Sequence, residues 1–413
     1  MTLDEHLRRS RILRRLRAGP FREGIDHYTE RLRNDGYGPH HGGRAISLVF
    51  RFTRWLTDRH FGFHDIDEHL VGRFLAARTR QHPLRAGDRS ALRRLVAVLR
   101  EAEIIGPELP AKRDPREQIL ESFREYLEAR RGLLPASSKN YIWFIQRFLH
   151  DLSITRTADL ASLSQDDIVG YVERHASDGS AITAKLMCSR LRSFLTYLQV
   201  EGVIGHELAA CIPSIRTWSL TRLPTYLSAA QLQQIYRSCD RDTAVGRRDY
   251  AVLMLLGGLG LRANEIATLT LDDIDWRAGQ FRIQGKGRQP ATMPLPPDIG
   301  AALVAYLRNG RPASASRRVF LRARPPHSGF PTSSGITNIA GRALARAVVT
   351  GAIHRGAHVF RHTLATELLR SGASLTEIGQ VLRHQDHDTT RIYAKVDLAS
   401  LRTLSLPWPG GGL

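Results

Sequence analysis

The sequence predicts a mainly α-helical protein with a small β-sheet confined to its last third. Three observations carry this. Apolar residues recur at helical spacing in the first half, as in Ile119-Phe123-Leu127 and Leu191-Phe194-Leu198. The stretch ATLTLDDIDWRAGQFRIQGKGRQPATMPLP instead holds short β-like runs separated by Gly-rich turns. Capping signals open helices on both sides of it: Ser164-x-x-Asp167, Ser228-x-x-Gln231 and Ser374-x-x-Glu377.

A chain of 413 residues, 42% hydrophobic, has room for two to three folded domains. Residues 1–112 form a helical N-terminal segment, and 113–215 a second helical segment. Gly106-x-Glu108-Leu109 lines up with Gly205-x-Glu207-Leu208, Tyr28-x-Glu30 with Tyr126-x-Glu128, and Arg54-Trp55-Leu56-x-Asp58 with Arg147-Phe148-Leu149-x-Asp151. The order is kept while the offset varies, so the two segments read as copies of one all-helical unit; the competing reading is chance similarity between amphipathic helices. Two prolines break the pattern in IPSIRTWSLTRLPTYLS, which makes 216–227 a linker. A mixed domain follows over 228–396. Its strands are expected at 281–284 and 291–296, around a turn at Gly285-Lys286-Gly287. The tail, 397–413, ends in residues that do not continue a helix.

Charge narrows the partners. Sixty Lys and Arg face forty Asp and Glu, a formal +20, which attracts polyanions, nucleic acid first. Six arginines between Arg8 and Arg17 point the same way, although a solvated basic helix fits them too. Three widely spaced cysteines without a CxxC suit a reducing cytosol and argue against a disulfide framework or structural zinc. The first twenty residues lack the apolar region of a secretory signal, and the longest apolar run, AVLMLLGGLGL, is too short to span a bilayer. The expectation is a soluble cytoplasmic protein with no membrane partner.

Two readings compete for the chemistry. Gly258-x-Gly260-x-x-Ala263 matches a loose dinucleotide fingerprint, but no acid stands about 20 residues on to hold a ribose, and a basic hairpin follows instead of an alternating β/α series. The C-terminal third offers HVFRHTLATELL, with His358 and Arg361 three apart, and VLRHQDHDTTRIYAKV, with His384 nine residues before Tyr393. A tyrosine among Arg and His residues suits nucleophilic phosphoryl transfer. Taken singly, each of these residues is as well explained by solvation or packing. His354, His358 and His362 fall at i, i+4 and i+8, but no glutamate accompanies them as in HExxH, so no metal is expected.

Taken in order, these residues resemble the tyrosine recombinase (phage integrase) family over roughly 120–400. GLGLRANEIATL resembles its first arginine box, with Arg262 in that role and Glu265 as the acidic supporter. Lys286 falls on the β-hairpin lysine, and His358-Val359-Phe360-Arg361 on the HxxR box, followed by His362 and Thr363. His384 falls on the third-box histidine, with Arg383 where many relatives have glycine, and Tyr393 on the nucleophile, after Thr389-Thr390.

The resemblance implies an enzyme that cleaves and rejoins DNA through a 3′-phosphotyrosyl link, without metal, ATP or other cofactor. Arg262 and Arg361 would clamp the non-bridging oxygens with planar forks. His358 would take or shuttle the tyrosine proton, His384 would hydrogen-bond a non-bridging oxygen, and Lys286 would protonate the leaving 5′ oxygen. It further implies a helical core-binding domain (113–215) and a mixed α+β catalytic domain (228–396) on duplex DNA bearing specific recombination sites. A tetramer on synapsed DNA is expected, alone or with partner recombinases. The alternatives are a type IB topoisomerase-like enzyme and a non-catalytic DNA-binding protein.

Overall fold

The computed structural model describes residues 10–80, 82–85, 87–107, 114–205, 207–215, 225–285, 290–349, 356–383, 390 and 393. The chain divides into two compact units, Met1–Pro107 together with Arg222–Leu413, and Glu108–Thr221. Most of the linker 216–227 lies outside the described residues.

The N-terminal part is helical: α1 (Arg11–Arg17), α2 (Arg22–Asn34), α3 (Pro39–Thr57), α4 (Glu68–Thr79) and α5 (Asp88–Glu101). Ser10 caps α1 and Asp67 caps α4, each accepting a backbone N–H three residues on. The helices share one apolar core, in which Tyr28, Phe52, Leu56, Leu92 and Leu99 are fully buried.

The second unit comprises α6 (Pro115–Glu125) running into a π-turn (Tyr126–Arg130), then α7 (Pro135–Asp151), α8 (Thr157–Ala161), α9 (Gln165–Ala176) and α10 (Ala181–Val200). Its core takes the helical-period residues expected of it, Ile119, Phe123, Leu127, Leu191, Phe194 and Leu198. The Ser164–Asp167 box forms: Ser164 Oγ accepts from Asp167 N–H, and Asp167 Oδ2 accepts from Ser164 N–H at 2.9 Å. When the two helical segments are aligned, the π-turn takes up one extra residue and sets the fully buried Tyr28 against the fully buried Phe123, while Tyr126 is half-buried.

The third part begins with α11 (Ala229–Arg237), opened by the Ser228–Gln231 box. The central helix α12 (Ala244–Gly258) is apolar all round, with Ala251–Leu256 buried on every side, as a helix enclosed by others requires. A short α13 (Ala263–Thr268) leads to a three-stranded antiparallel sheet, β1 (Ile274–Asp275), β2 (Gln280–Gln284) and β3 (Pro290–Pro294), in the order β1-β2-β3. Phe281 pairs with Met293 and Ile283 with Ala291. Phe281, Ile283 and Met293 face the core while Arg282 and Gln284 face outward, the alternation a half-covered sheet demands. Lys286 stands between β2 and β3, outside the described residues. The chain then closes with α14 (Pro297–Asn309), α15 (Ser334–Arg346), α16 (His358–Arg370) and α17 (Leu375–Leu382). Helices α14 and α16 pack on α12. No helix among the described residues is long and apolar enough to cross a membrane.

Candidate active site

The stretch that resembles a dinucleotide fingerprint forms a helix end and a turn. After α12 stops at Gly258, Gly260 takes a left-handed backbone, φ 57°. A Cβ at this position would meet the side chains of Leu382 and Leu364 within about 3 Å. The Gly260 carbonyl accepts from Arg361 Nη1 at 2.5 Å. The glycine therefore permits a close approach between this turn, α16 and the end of α17.

Arg262 sits at the N-cap of α13, where its backbone N–H donates to Glu265 Oε2 at 2.8 Å and its Nη1 to Glu265 Oε1 at 2.9 Å. Glu265 is 3% exposed, so its charge requires partners. It has a second one in Arg383, whose Nη2 donates to Oε2 at 2.9 Å. Arg383 Nη1 reaches Sδ of Met293 on β3 at 2.8 Å, and its carbonyl lies 3.4 Å from Arg262 Nη2.

Arg383 stands where the backbone favours glycine. The residue ends α17 in the left-handed region, φ 53° and ψ 51°. An L-residue there carries about 1–2 kcal/mol of strain. Two side-chain contacts, to Glu265 and to Met293, hold it in place.

Arg361, on the first turn of α16, is 5% exposed and donates to the carbonyls of Gly260 and Leu382. Burial, then the nearby Arg262 and Arg383 cations, pull its pKa down to about 10, so it stays charged at neutral pH. Three guanidiniums thus surround one carboxylate, leaving an excess of positive charge built into the site.

Tyr393 is 2% exposed, and its hydroxyl lies 2.9 Å from Nδ1 of His362. Burial pushes the phenol up to about 12, against the pull of Arg361. His358, the first residue of α16, is exposed to solvent. His362 stands one helical turn further along the same face. The histidine hydrogen-bonded to Tyr393 is His362, which the sequence offers only as the residue that follows the HxxR box. Its signal was the i+4 spacing from His358 and its place next to Arg361. Thr390 is buried, whereas Lys286, His354, His384 and Thr389 lie outside the described residues. No group of three or more His, Cys, Asp or Glu able to hold a metal occurs among the described residues.

The geometry sets Glu265 on Arg262, and Arg361 near both Arg262 and Tyr393. The phage integrase family matches residues 225–399, and the phage integrase N-terminal SAM-like domain matches 120–202. The protein y4rA of Sinorhizobium fredii, by name an integrase/recombinase, is 40% identical over 395 residues, 95% of each chain. Tyrosine recombinase XerC of Oceanobacillus iheyensis is 29% identical over 293 residues, 69% of this chain and 94% of that protein. Among solved structures, XerH recombinase bound to palindromic difH substrate in a post-cleavage complex superposes with a TM-score of 0.55 at 19% identity, over 70% of this chain and 83% of that one. A lambda integrase(75-356) dimer bound to a COC′ core site gives 0.51 at 17% identity, over 67% and 94%. At such identities the structures speak for the fold, and the full-length similarity to y4rA speaks for the family. The chain belongs to the phage integrase family, the tyrosine recombinases.

Proposed function

We propose that this chain is a site-specific DNA recombinase that breaks and rejoins strands through a 3′-phosphotyrosyl intermediate. The observation that carries the reading is the Tyr393 hydroxyl held 2.9 Å from His362, beside a buried arginine. Tyr393 Oη attacks phosphorus, its proton passes to His362, and the bond from phosphorus to the 5′ oxygen breaks. Lys286 supplies the proton that the 5′ oxygen takes up. A 5′-hydroxyl from another strand then reverses the step, so the phosphodiester energy is conserved in the protein link. Charge building on the non-bridging oxygens is met by Arg262 and Arg361. His384 adds a hydrogen bond, and exposed His358 relays the proton held by His362 or meets the phosphate itself. Glu265 and Arg383 hold Arg262 in place.

In this reading 228–396 is the catalytic domain and 113–215 the core-binding domain. Their substrate is duplex DNA carrying specific sites, synapsed in a tetramer. The guanidiniums supply the charge stabilisation that metal ions supply in other nucleases, so the reaction runs without a cofactor. The test is a nicked suicide duplex carrying the cognate site. An SDS-resistant protein–DNA adduct forming in EDTA, and absent from Tyr393→Phe, is the expected result. No adduct on the true site contradicts it.

A further inference from the structure

The segment from 22 to 105 resembles, helix for helix apart from α8 and the π-turn, the SAM-like unit that follows it. Helices α2, α3, α4 and α5 correspond to α6, α7, α9 and α10. Left-handed residues close corresponding helices at matching places: Gly36 and Gly132, His60 and Ser153, Glu103 and Gly202. Phe61 N–H donates to the Leu56 carbonyl at 3.0 Å, as Ile154 N–H does to Leu149 at 2.9 Å. Ile104 N–H donates to Leu99, and Val203 N–H to Leu198, both at 2.9 Å. Such helix ends are common singly. Here they coincide with matched cores, Leu95 with Phe194 and Leu99 with Leu198, and with matched edge-on ring pairs, Trp55–Phe74 and Phe148–Tyr171.

Each unit has a cavity at the same place, between its second and third main helices, and the two differ in charge. In the SAM-like unit Asp151 lies on the wall, ion-paired with Arg174 at 2.6 Å and within 3.1 Å of His175 Nε2. In the N-terminal unit the cavity is larger, about 640 Å³ against 440 Å³. Arg51, Arg54, Arg59 and Arg85 line it and pair with no carboxylate among the described residues, and Asp58 is the one acid on its wall. Trp55 Nε1 of its lining is buried without a hydrogen-bond acceptor, and Arg78 Nε, also without one, has only an ion pair to Asp88 at 3.7 Å. Clustered guanidiniums repel one another, and unmet buried donors cost about 1–3 kcal/mol each. A bound oxyanion relieves both, and guanidiniums match phosphate geometry.

We propose that residues 22–105 are a second copy of the SAM-like unit and that this cavity seats the backbone phosphates of duplex DNA, independent of base sequence. The inference rests on the family's DNA-directed activity but not on the phosphotyrosyl step.

The test uses the full chain. Binding to a duplex lacking any recombination site is measured across a range of salt for wild type and for Arg51→Gln/Arg54→Gln/Arg59→Gln. If three phosphates are lost, the slope of log K against log salt falls by about 2 to 3, near 0.9 per contact. The corresponding triple Lys variant retains most of the slope. All three side chains are exposed, and equal melting of the variants checks that the fold survives. An unchanged slope in the Gln variant overturns the proposal, and lost self-association with an unchanged slope assigns the cavity to an acidic face of a second copy. Loss of the covalent adduct in Tyr393→Phe tests the catalytic reading separately, since equilibrium binding does not require it.

Discussion

The Tyr393 hydroxyl lies 2.9 Å from His362 Nδ1, although 31 residues separate them. The contact joins α16 to the end of the described chain and sets an imidazole nitrogen against the buried phenol. His362→Gln should therefore slow covalent adduct formation on a suicide duplex on the order of 100-fold at saturating DNA. His358→Gln should alter the rate less. Equal losses in the two variants would remove His362 from the proton path.

Glu265 neutralises two cations from within the protein. Glu265→Gln keeps the shape but leaves Arg262 and Arg383 facing each other without their carboxylate. The expected loss of stability is about 3 kcal/mol, since removing one member of a buried ion pair strands the others. Urea denaturation measures it, and a change below about 0.5 kcal/mol would show that the network carries little.

Arg383 sets strain against function. Arg383→Gly relieves the left-handed backbone, about 1 kcal/mol, while removing the pair to Glu265. Cleavage should fall about tenfold, near 1.4 kcal/mol of transition-state stabilisation, because Arg262 is held less firmly. Arg383→Lys should recover part of that rate at unchanged backbone strain. Wild-type cleavage by the glycine variant would reduce Arg383 to a tolerated substitution.

The tyrosine also predicts a pH effect. Its folded pKa, pushed up to about 12, lies above the ordinary value of 10, so folding favours the protonated phenol. That contribution is fully present below pH 10 and is lost as pH rises through 12. Its full size is on the order of 3 kcal/mol. The stability difference between wild type and Tyr393→Phe should be flat from pH 7 to about 9 and shift against wild type above about 10. A difference that stays flat through that alkaline range would mean that the phenol is not buried as described.

Local features of the sequence proved legible because their physics is local. Ser164, Ser228 and Ser374 close their capping boxes within three residues, and Phe281 and Ile283 alternate as a half-buried strand must. The order of the family's boxes also located Arg262, Arg361 and Tyr393, which the fold brings together. What escaped depends on distant approach. Nothing near Arg383 announces a bond to Glu265, 118 positions away. The contact of His362 with Tyr393 depends on where Tyr393 sits against α16, 31 positions further on. The two helical segments look alike in sequence, but Tyr28 aligns with Phe123 rather than Tyr126 once the π-turn at Tyr126–Arg130 takes up one residue.

The most direct test of the account is to map the covalent bond. Wild-type protein is trapped on a suicide duplex in EDTA, digested, and the nucleotide-bearing peptide is sequenced by mass spectrometry. One modified residue is expected, Tyr393, joined to a 3′ phosphate. A link at any other residue, or a trapped adduct that survives Tyr393→Phe, would contradict it.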